Sequence, residues 1–280
     1  MKVLVTGAGG MVGKAVAHHC AAMGDNVAAY DHASLDITDQ AATLRAIQND
    51  KPDFVINCAA WTDVDGCESD ADRAFAANAA GPENLARACR DAGAGLITIS
   101  TDYVFDGEKE GFYSQSDEPN PQSIYAESKL EGEQRARAEF DKTIVVRTGY
   151  VFGPGGRNFL STVIDRARGG ERFVAIDDAY GTPTYSVDLA RRLRELAEKN
   201  VANVYHTVNG GAGASFKDFV IEALRVTGLE TITVETVSME SLQRPAKRPR
   251  NSRLHCLYSG VIGLPTMRTW QAALAEFAAL

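Results

Sequence analysis

The chain is 280 residues long and 45% hydrophobic, with a formal net charge of −8 at neutral pH, which suffices for one large or two modest domains with a proper core. The acidic balance argues against a general nucleic-acid or acidic-membrane binder. No apolar run has the length of a membrane span and the N-terminus opens on a strand rather than a signal sequence, so a soluble, cytoplasmic protein with neither nucleic-acid nor membrane partners is expected.

Lys2-Val3-Leu4-Val5-Thr6 reads as a short buried strand, and Gly7-Ala8-Gly9-Gly10-Met11-Val12-Gly13 leads from it into an Ala-rich helical stretch ending near Met23. In that context Gly7 permits a tight turn and Gly10 lets the backbone approach a pyrophosphate, whose charge suits a helix N-terminus. Gly13 allows close packing of helix on sheet. The natural ligand of such a turn, Met11 and Val12 included, is a dinucleotide. A second apolar run, Asn26–Tyr30, ends at Asp31, eighteen residues after Gly13 and near where a ribose-binding carboxylate is expected.

Further strands are predicted near Phe54–Asn57, Leu96–Ser100 and Thr143–Arg147, with helices near Asp39–Asn49, Ala71–Ala92 and Ser123–Phe140. Alternation of this kind gives a parallel sheet with helices on both faces. Phe54-Val55-Ile56 and Ile144-Val145-Val146 have the continuous apolar character of strands buried on both sides. The fold class is therefore α/β, a Rossmann-type doubly wound parallel sheet, with residues 1–150 as a dinucleotide-binding domain. Ligands bind beyond the carboxyl ends of such strands, where Gly7, Asp31, Ala59 and Thr101 all fall.

Tyr125 and Lys129 stand four residues apart in the segment read as the last of these helices, and so share one face of it. An ammonium beside a tyrosine stabilises the phenolate and lowers its pKa, giving an acid that works near neutral pH. Together with Ser100-Thr101-Asp102-Tyr103, the pair supplies a proton donor, a cation to tune it and a hydroxyl to hold a carbonyl. That combination reads as a carbonyl-reducing site.

Beyond Tyr150 the pattern loosens. Gly153-Pro154-Gly155-Gly156 is a turn, followed by a helix near Asn158–Arg168, a strand near Arg172–Ala175 and a Gly181-Thr182-Pro183-Thr184 loop feeding a helix at Ser186–Lys199. A strand near Val204–Thr207 and helices near Phe216–Thr227 and Thr269–Phe277 complete residues 151–280. This half is expected to be a smaller, mainly substrate-binding domain with some elements returning to the main sheet. Arg244-Pro245-Ala246-Lys247-Arg248-Pro249-Arg250-Asn251-Ser252-Arg253 is the one basic cluster; between two domains, its guanidinium groups suit a diphosphate. The five cysteines form no Cys-x-x-Cys pair and the histidines are scattered, so the thiols read as buried and no metal site is expected.

With these motifs assembled, the chain resembles the extended short-chain dehydrogenase/reductases, and within them the dTDP-4-dehydrorhamnose reductases. The residues carrying the resemblance are Gly7, Gly10 and Gly13; Asn57 through Asp65 with Glu68; Ser100 through Phe105; Tyr125, Lys129 and Leu130-Glu131-Gly132-Glu133; Arg147 through Phe152; Gly181 with Pro183-Thr184; and Arg248-Pro249 with Asn251-Ser252. The resemblance implies a catalytic triad of Thr101, Tyr125 and Lys129, with Thr101 orienting a ketone oxygen and Tyr125 protonating it. Lys129 would tune the tyrosine and hold the nicotinamide ribose. It also implies that Asp36, Ile37, Ala59, Ala60, Thr62, Asn78 and Ser100 border an NADPH or NADH cofactor, and that Val64, Asp102, Tyr103, Tyr150, Arg248 and Asn251 border the substrate.

The implied reaction reduces the 4-keto group of dTDP-4-dehydro-6-deoxy-L-mannose to dTDP-L-rhamnose, in a monomer or weak homodimer. The alternatives are a nucleotide-sugar epimerase or dehydratase of the same superfamily, or a regulatory subunit of the methionine adenosyltransferase type. Three departures from the family pattern stand out. Tyr150 occupies a position that is often tryptophan, and Asp178-Ala179-Tyr180-Gly181 lacks an amide before the Gly-x-Pro-Thr turn. The first helix, running on as Lys14-Ala15, also lacks the glutamate through which some members share magnesium.

Overall fold

The computed structural model describes all residues from 1 to 280. Apolar runs and capped helices alternate through its first half. In order these are β1 (Lys2–Thr6), α1 (Met11–Ala22), β2 (Asn26–Tyr30), α2 (Gln40–Asp50), β3 (Phe54–Asn57), α3 (Val64–Ser69), α4 (Ala71–Phe75), α5 (Gly81–Ala92), β4 (Gly95–Thr101), α6 (Ile124–Glu139) and β5 (Ile144–Thr148). The second half contributes β6 (Val151–Phe152), α7 (Phe159–Arg168), β7 (Phe173–Ile176), β8 (Tyr180–Gly181), β9 (Thr184–Tyr185), α8 (Ser186–Lys199), β10 (Val204–His206), β11 (Ala214–Ser215), α9 (Phe216–Thr227), β12 (Val234–Val237) and α10 (Trp270–Ala278).

The main sheet runs β2-β1-β3-β4-β5-β10, with every neighbouring pair parallel. Successive side chains of a strand face opposite ways. Val3 and Val5 accordingly pack with Val16 and Cys20 of α1, while Leu4 packs with Ile47 of α2 and Leu85 of α5. Strand order reverses between β1 and β3, so the crossovers diverge there and leave a crevice beyond the carboxyl ends of the strands, the position at which doubly wound sheets bind ligands.

Two elements of the second half belong to this layer. β10 adds the edge strand beside β5, and α8 lays Leu189, Leu193 and Leu196 against the same face as Val3, Val5 and Ile56. Asp25 fastens that helix, accepting from Arg194 Nε at 2.6 Å and from the N-terminal amine at 2.9 Å. The remaining helices, α7, α9 and α10, surround a separate core that includes Phe152, Leu160, Phe173, Phe219 and Trp270. No helix is long and apolar enough to cross a membrane.

The helix expected over Ala71–Ala92 is broken: α4 passes into a π-helical turn at Ala76–Ala80 before α5 begins. Such turns lodge an extra residue and favour functional sites; here Asn78 is turned inward to bond Trp61 and Ser128. Helix α3 was not anticipated either. Its six residues are too few to show a helical period, and it is started by the Asp63 carboxylate accepting from the Gly66 amide at 3.0 Å.

Candidate active site

A cleft of about 1190 Å³ opens along the carboxyl ends of β1 to β5. At one end is the turn between β1 and α1. Gly7 has φ of +66°, and a Cβ there would lie 2.6 Å from the Ala59 amide nitrogen; one on Gly13 would lie 2.2 Å from the Gly7 carbonyl oxygen. Only glycine fits either position. The N-cap of α1 is Gly10, with no side-chain cap and no acidic residue in the first turn. The free helix amides therefore present partial positive charge to the cleft, as an anion site requires.

Met11, Val12, Asp31, Asp36, Ile37, Ala59, Ala60 and Thr62 line the same end. Asp31, exposed at the end of β2, accepts from the Ser34 hydroxyl at 2.7 Å and the Ser34 amide at 2.9 Å, bonds that lower its pKa. Asn57 makes the junction below it rigid: its side chain accepts from Thr6 at 2.7 Å and from the Ala59 amide at 3.1 Å, and donates to Thr98 at 3.0 Å. Asn78 does not line the cleft. It accepts from the Trp61 amide and donates to the Trp61 carbonyl and to Ser128, and so ties the 59–62 loop to α6.

The other end gathers Ser100, Thr101, Asp102, Tyr103, Tyr125, Lys129, Val64 and Tyr150. Ser123 caps α6, and the Glu68 carboxylate accepts from the Ile124 amide at 2.9 Å, fixing the start of the helix that carries Tyr125. Tyr125 and Lys129 point together into the cleft floor and are 8% and 5% exposed. The Lys129 ammonium donates to the Ile99 carbonyl at 2.7 Å. Burial pulls its pKa down to about 8, against the pull of Glu133.

The phenol departs from expectation. Burial holds the Tyr125 pKa above the ordinary tyrosine value, with only the Thr101 hydroxyl drawing it down appreciably. Desolvation of the phenolate outweighs any effect of the neighbouring ammonium. Tyr150 stands opposite with φ of +46°, a strained conformation for a side-chain-bearing residue, and its ring lies 4.8 Å from that of Phe216.

Two expected substrate contacts lie outside the cleft. Arg248 makes a bidentate pair with Asp65 of α3, both bonds being 2.7 Å, and Asn251 donates to the carbonyls of Lys109 and Gly111 at 2.6 and 2.7 Å. They hold the 244–253 segment to the first half of the chain. Cleft-lining residues for which the sequence reading offers no role include Arg73, Asn158, Phe159 and Phe216. Arg73 lies 4.3 Å over the Trp61 ring, a pairing between residues too far apart in sequence for spacing to reveal. No group of three or more His, Cys, Asp or Glu side chains is placed to hold a metal ion.

A family model described as the RmlD substrate binding domain matches residues 1–280. A dTDP-4-dehydrorhamnose reductase of Mycobacterium tuberculosis is 41% identical over 98% of this chain and 91% of its own length. The chain belongs to the dTDP-4-dehydrorhamnose reductase family. Among solved members, the reductase from Clostridium acetobutylicum superposes with a TM-score of 0.94 at 38% identity, covering 100% of this chain and 99% of that one. The Bacillus anthracis reductase, solved in complex with NADP, gives 0.94 at 33% identity over 99% of both chains. The nicotinamide dinucleotide that this reductase family uses fits the residues present, because the Gly7 and Gly13 cradle leaves backbone exposed beside the uncapped N-terminus of α1.

Proposed function

We propose that this chain reduces the 4-keto group of dTDP-4-dehydro-6-deoxy-L-mannose to dTDP-L-rhamnose at the expense of NADH or NADPH. The observation that carries this reading is the convergence of Thr101, Tyr125 and Lys129 at one end of a cleft whose other end is a glycine cradle for a pyrophosphate. The cofactor supplies hydride when bound. The chain's own residues handle the oxygen: as charge develops on it, Tyr125 gives up its phenolic proton, which its raised pKa keeps in place until a base as strong as an alkoxide forms. Thr101 orients that oxygen, and Lys129 supplies the positive charge and a donor for the nicotinamide ribose. Held in register by β4 and α6, the three groups lower the barrier mainly through orientation.

Val64, Tyr103 and Tyr150 border the deoxysugar. For the diphosphate, the 244–253 segment offers Arg244, which is exposed and whose charge reaches the phenols of Tyr103 and Tyr150. Arg248 serves beside it by holding the segment to Asp65.

The deciding experiment follows nicotinamide absorbance with a panel of nucleotide-linked 4-keto sugars. Stoichiometric oxidation of the reduced cofactor with the dTDP-linked 4-keto-6-deoxy sugar is expected. Product formed with no net change in nicotinamide would instead identify an epimerase or dehydratase, and no turnover with any of them would leave the regulatory reading.

A further inference from the structure

The sequence segment Arg-Pro-x-Asn-Ser ends at Ser252, a residue that does not itself line the cleft and is buried to 1% exposure behind it. Its hydroxyl donates to Oδ2 of Asp102 at 2.5 Å, and the other oxygen of the same carboxylate, Oδ1, accepts from the Thr101 hydroxyl at 3.1 Å. We propose that Ser252 is a positioning residue for the reduction, holding the Asp102 carboxylate so that it fixes the Thr101 hydroxyl at the carbonyl end of the cleft. The proposal rests on the reductase reading and assigns Asp102 to bridging, with both its oxygens engaged inside the protein.

Three features make this more than a buried polar pair. First, the carboxylate is confined: Gly149 packs so closely that a Cβ on it would lie 2.2 Å from Cγ of Asp102, so the group cannot slide away from its two partners. Second, Ser252 is delivered by a segment fastened on both sides of the cleft. Its amide donates to the Tyr180 carbonyl at 2.7 Å, the Tyr180 amide donates to the Arg250 carbonyl at 2.7 Å, Asn251 holds the 109–111 turn, and Arg248 holds Asp65. All this fastening ends in one hydroxyl aimed at Asp102.

Third, Thr101 has a single hydroxyl proton. In the resting site it goes to Asp102, which together with the Tyr103 amide at 3.2 Å fixes where the Thr101 oxygen sits, and rotation about the C–O bond turns the proton to a ketone oxygen when one is bound. Without the carboxylate the hydroxyl would sample its other staggered positions. Burial raises the Asp102 pKa to about 6, while the bonds from Ser252 and Thr101 draw it down, so Ser252 also helps the carboxylate stay an acceptor. The titratable groups facing it are the phenols of Tyr103, Tyr125 and Tyr150.

The test is a double-mutant cycle between Ser252→Ala and Thr101→Val, with Ser252→Thr as the variant that keeps the hydroxyl. Ser252→Ala should lower kcat by about tenfold or more, the scale of one lost hydrogen bond to a charged group, with KM for sugar nucleotide and for reduced nicotinamide within about twofold of wild type. In the Thr101→Val background the same change should cost less than about twofold, because the group it positions is gone. Ser252→Thr should recover most of the lost turnover. The Ser252–Asp102 link is also read without turnover: the infrared band of the protonated Asp102 carboxyl should emerge at higher pH in Ser252→Ala than in wild type. Unchanged kcat, independent losses in the cycle, or an unmoved carboxyl band would each overturn the proposal, and if Ser252→Ala does not fold, Ser252→Cys, a weak donor of similar size, is read in the same way. Wild-type protein inactive on every 4-keto nucleotide sugar would overturn the reductase reading itself, whatever the carboxyl band does.

Discussion

At the scale of single residues, the proposed chemistry depends on two buried groups whose proton affinities burial moves in opposite directions. The Tyr125 phenol is pushed up and the Lys129 amine is pulled down to about 8. Tyr125→Phe removes the proton donor but leaves the cleft's shape, so turnover should fall by about a hundredfold to ten-thousandfold while a fluorescence titration of NADH binding stays close to wild type. A base lowered to about 8 is charged below that pH and neutral above it, so kcat should decline as pH rises through about 8. A rate profile flat from pH 7 to 10, measured with both substrates saturating, would show that the Lys129 charge is not needed. Asp31 decides a different question. Around it the cleft is lined by His32, Ala33 and Leu35, with no lysine or arginine to receive a 2′-phosphate. NADH should therefore have the lower KM of the two cofactors, and Asp31→Ala should narrow the gap by about an order of magnitude, the scale of one charge contact near a surface. Equal KM values for NADH and NADPH in the wild type would refute this.

At the scale of elements, the strands and long helices of the first half were legible because each carries its own local signal: apolar runs for β1, β3 and β5, and the glycine turn ahead of α1. What escaped was set by contacts distant in sequence. The spacing of Tyr125 and Lys129 puts both on one face of α6, but it does not report how deeply that face is buried, and burial pushes the phenol's pKa up where an ammonium alone would pull it down. The break at Asn78 was hidden within a continuous helical pattern because its cause is Trp61, seventeen residues earlier. The basic segment shows the same limit: its charges were legible and their partners were not. Asp65 engages Arg248, leaving Arg244 as the exposed guanidinium near Tyr103 and Tyr150. Arg244→Ala should raise KM for the nucleotide sugar about ten- to a hundredfold, as expected for a lost charged hydrogen bond. Its effect on KM for reduced nicotinamide should be small if, as proposed, the Gly7 to Gly13 turn serves that pyrophosphate. An equal rise in both constants would place the diphosphate elsewhere.

At the scale of the whole molecule, a boundary near residue 150 cuts through packing that belongs to one sheet layer. One face of the main sheet is closed by α8, whose Leu189, Leu193 and Leu196 pack on Val3, Val5 and Ile56, and β5 would be left as an open edge without β10. Burying a leucine side chain contributes roughly 1.5–3 kcal/mol, so these three alone contribute about 5–9 kcal/mol. That is comparable with the entire stability of a typical domain, about 5–15 kcal/mol. The Asp25 carboxylate, 2% exposed, would also lose Arg194 and keep only the N-terminal amine. A fragment of residues 1–150 is therefore expected not to fold alone, even though it holds Thr101, Tyr125, Lys129 and the glycine cradle. Its amide spectrum should be poorly dispersed and its thermal melt should lack a cooperative transition, whereas adding residues 151–206, which supply α8 and β10, should restore both. A fragment of residues 1–150 that melts cooperatively and binds NADH would show that the first half is a self-sufficient unit and that α8 only leans on it.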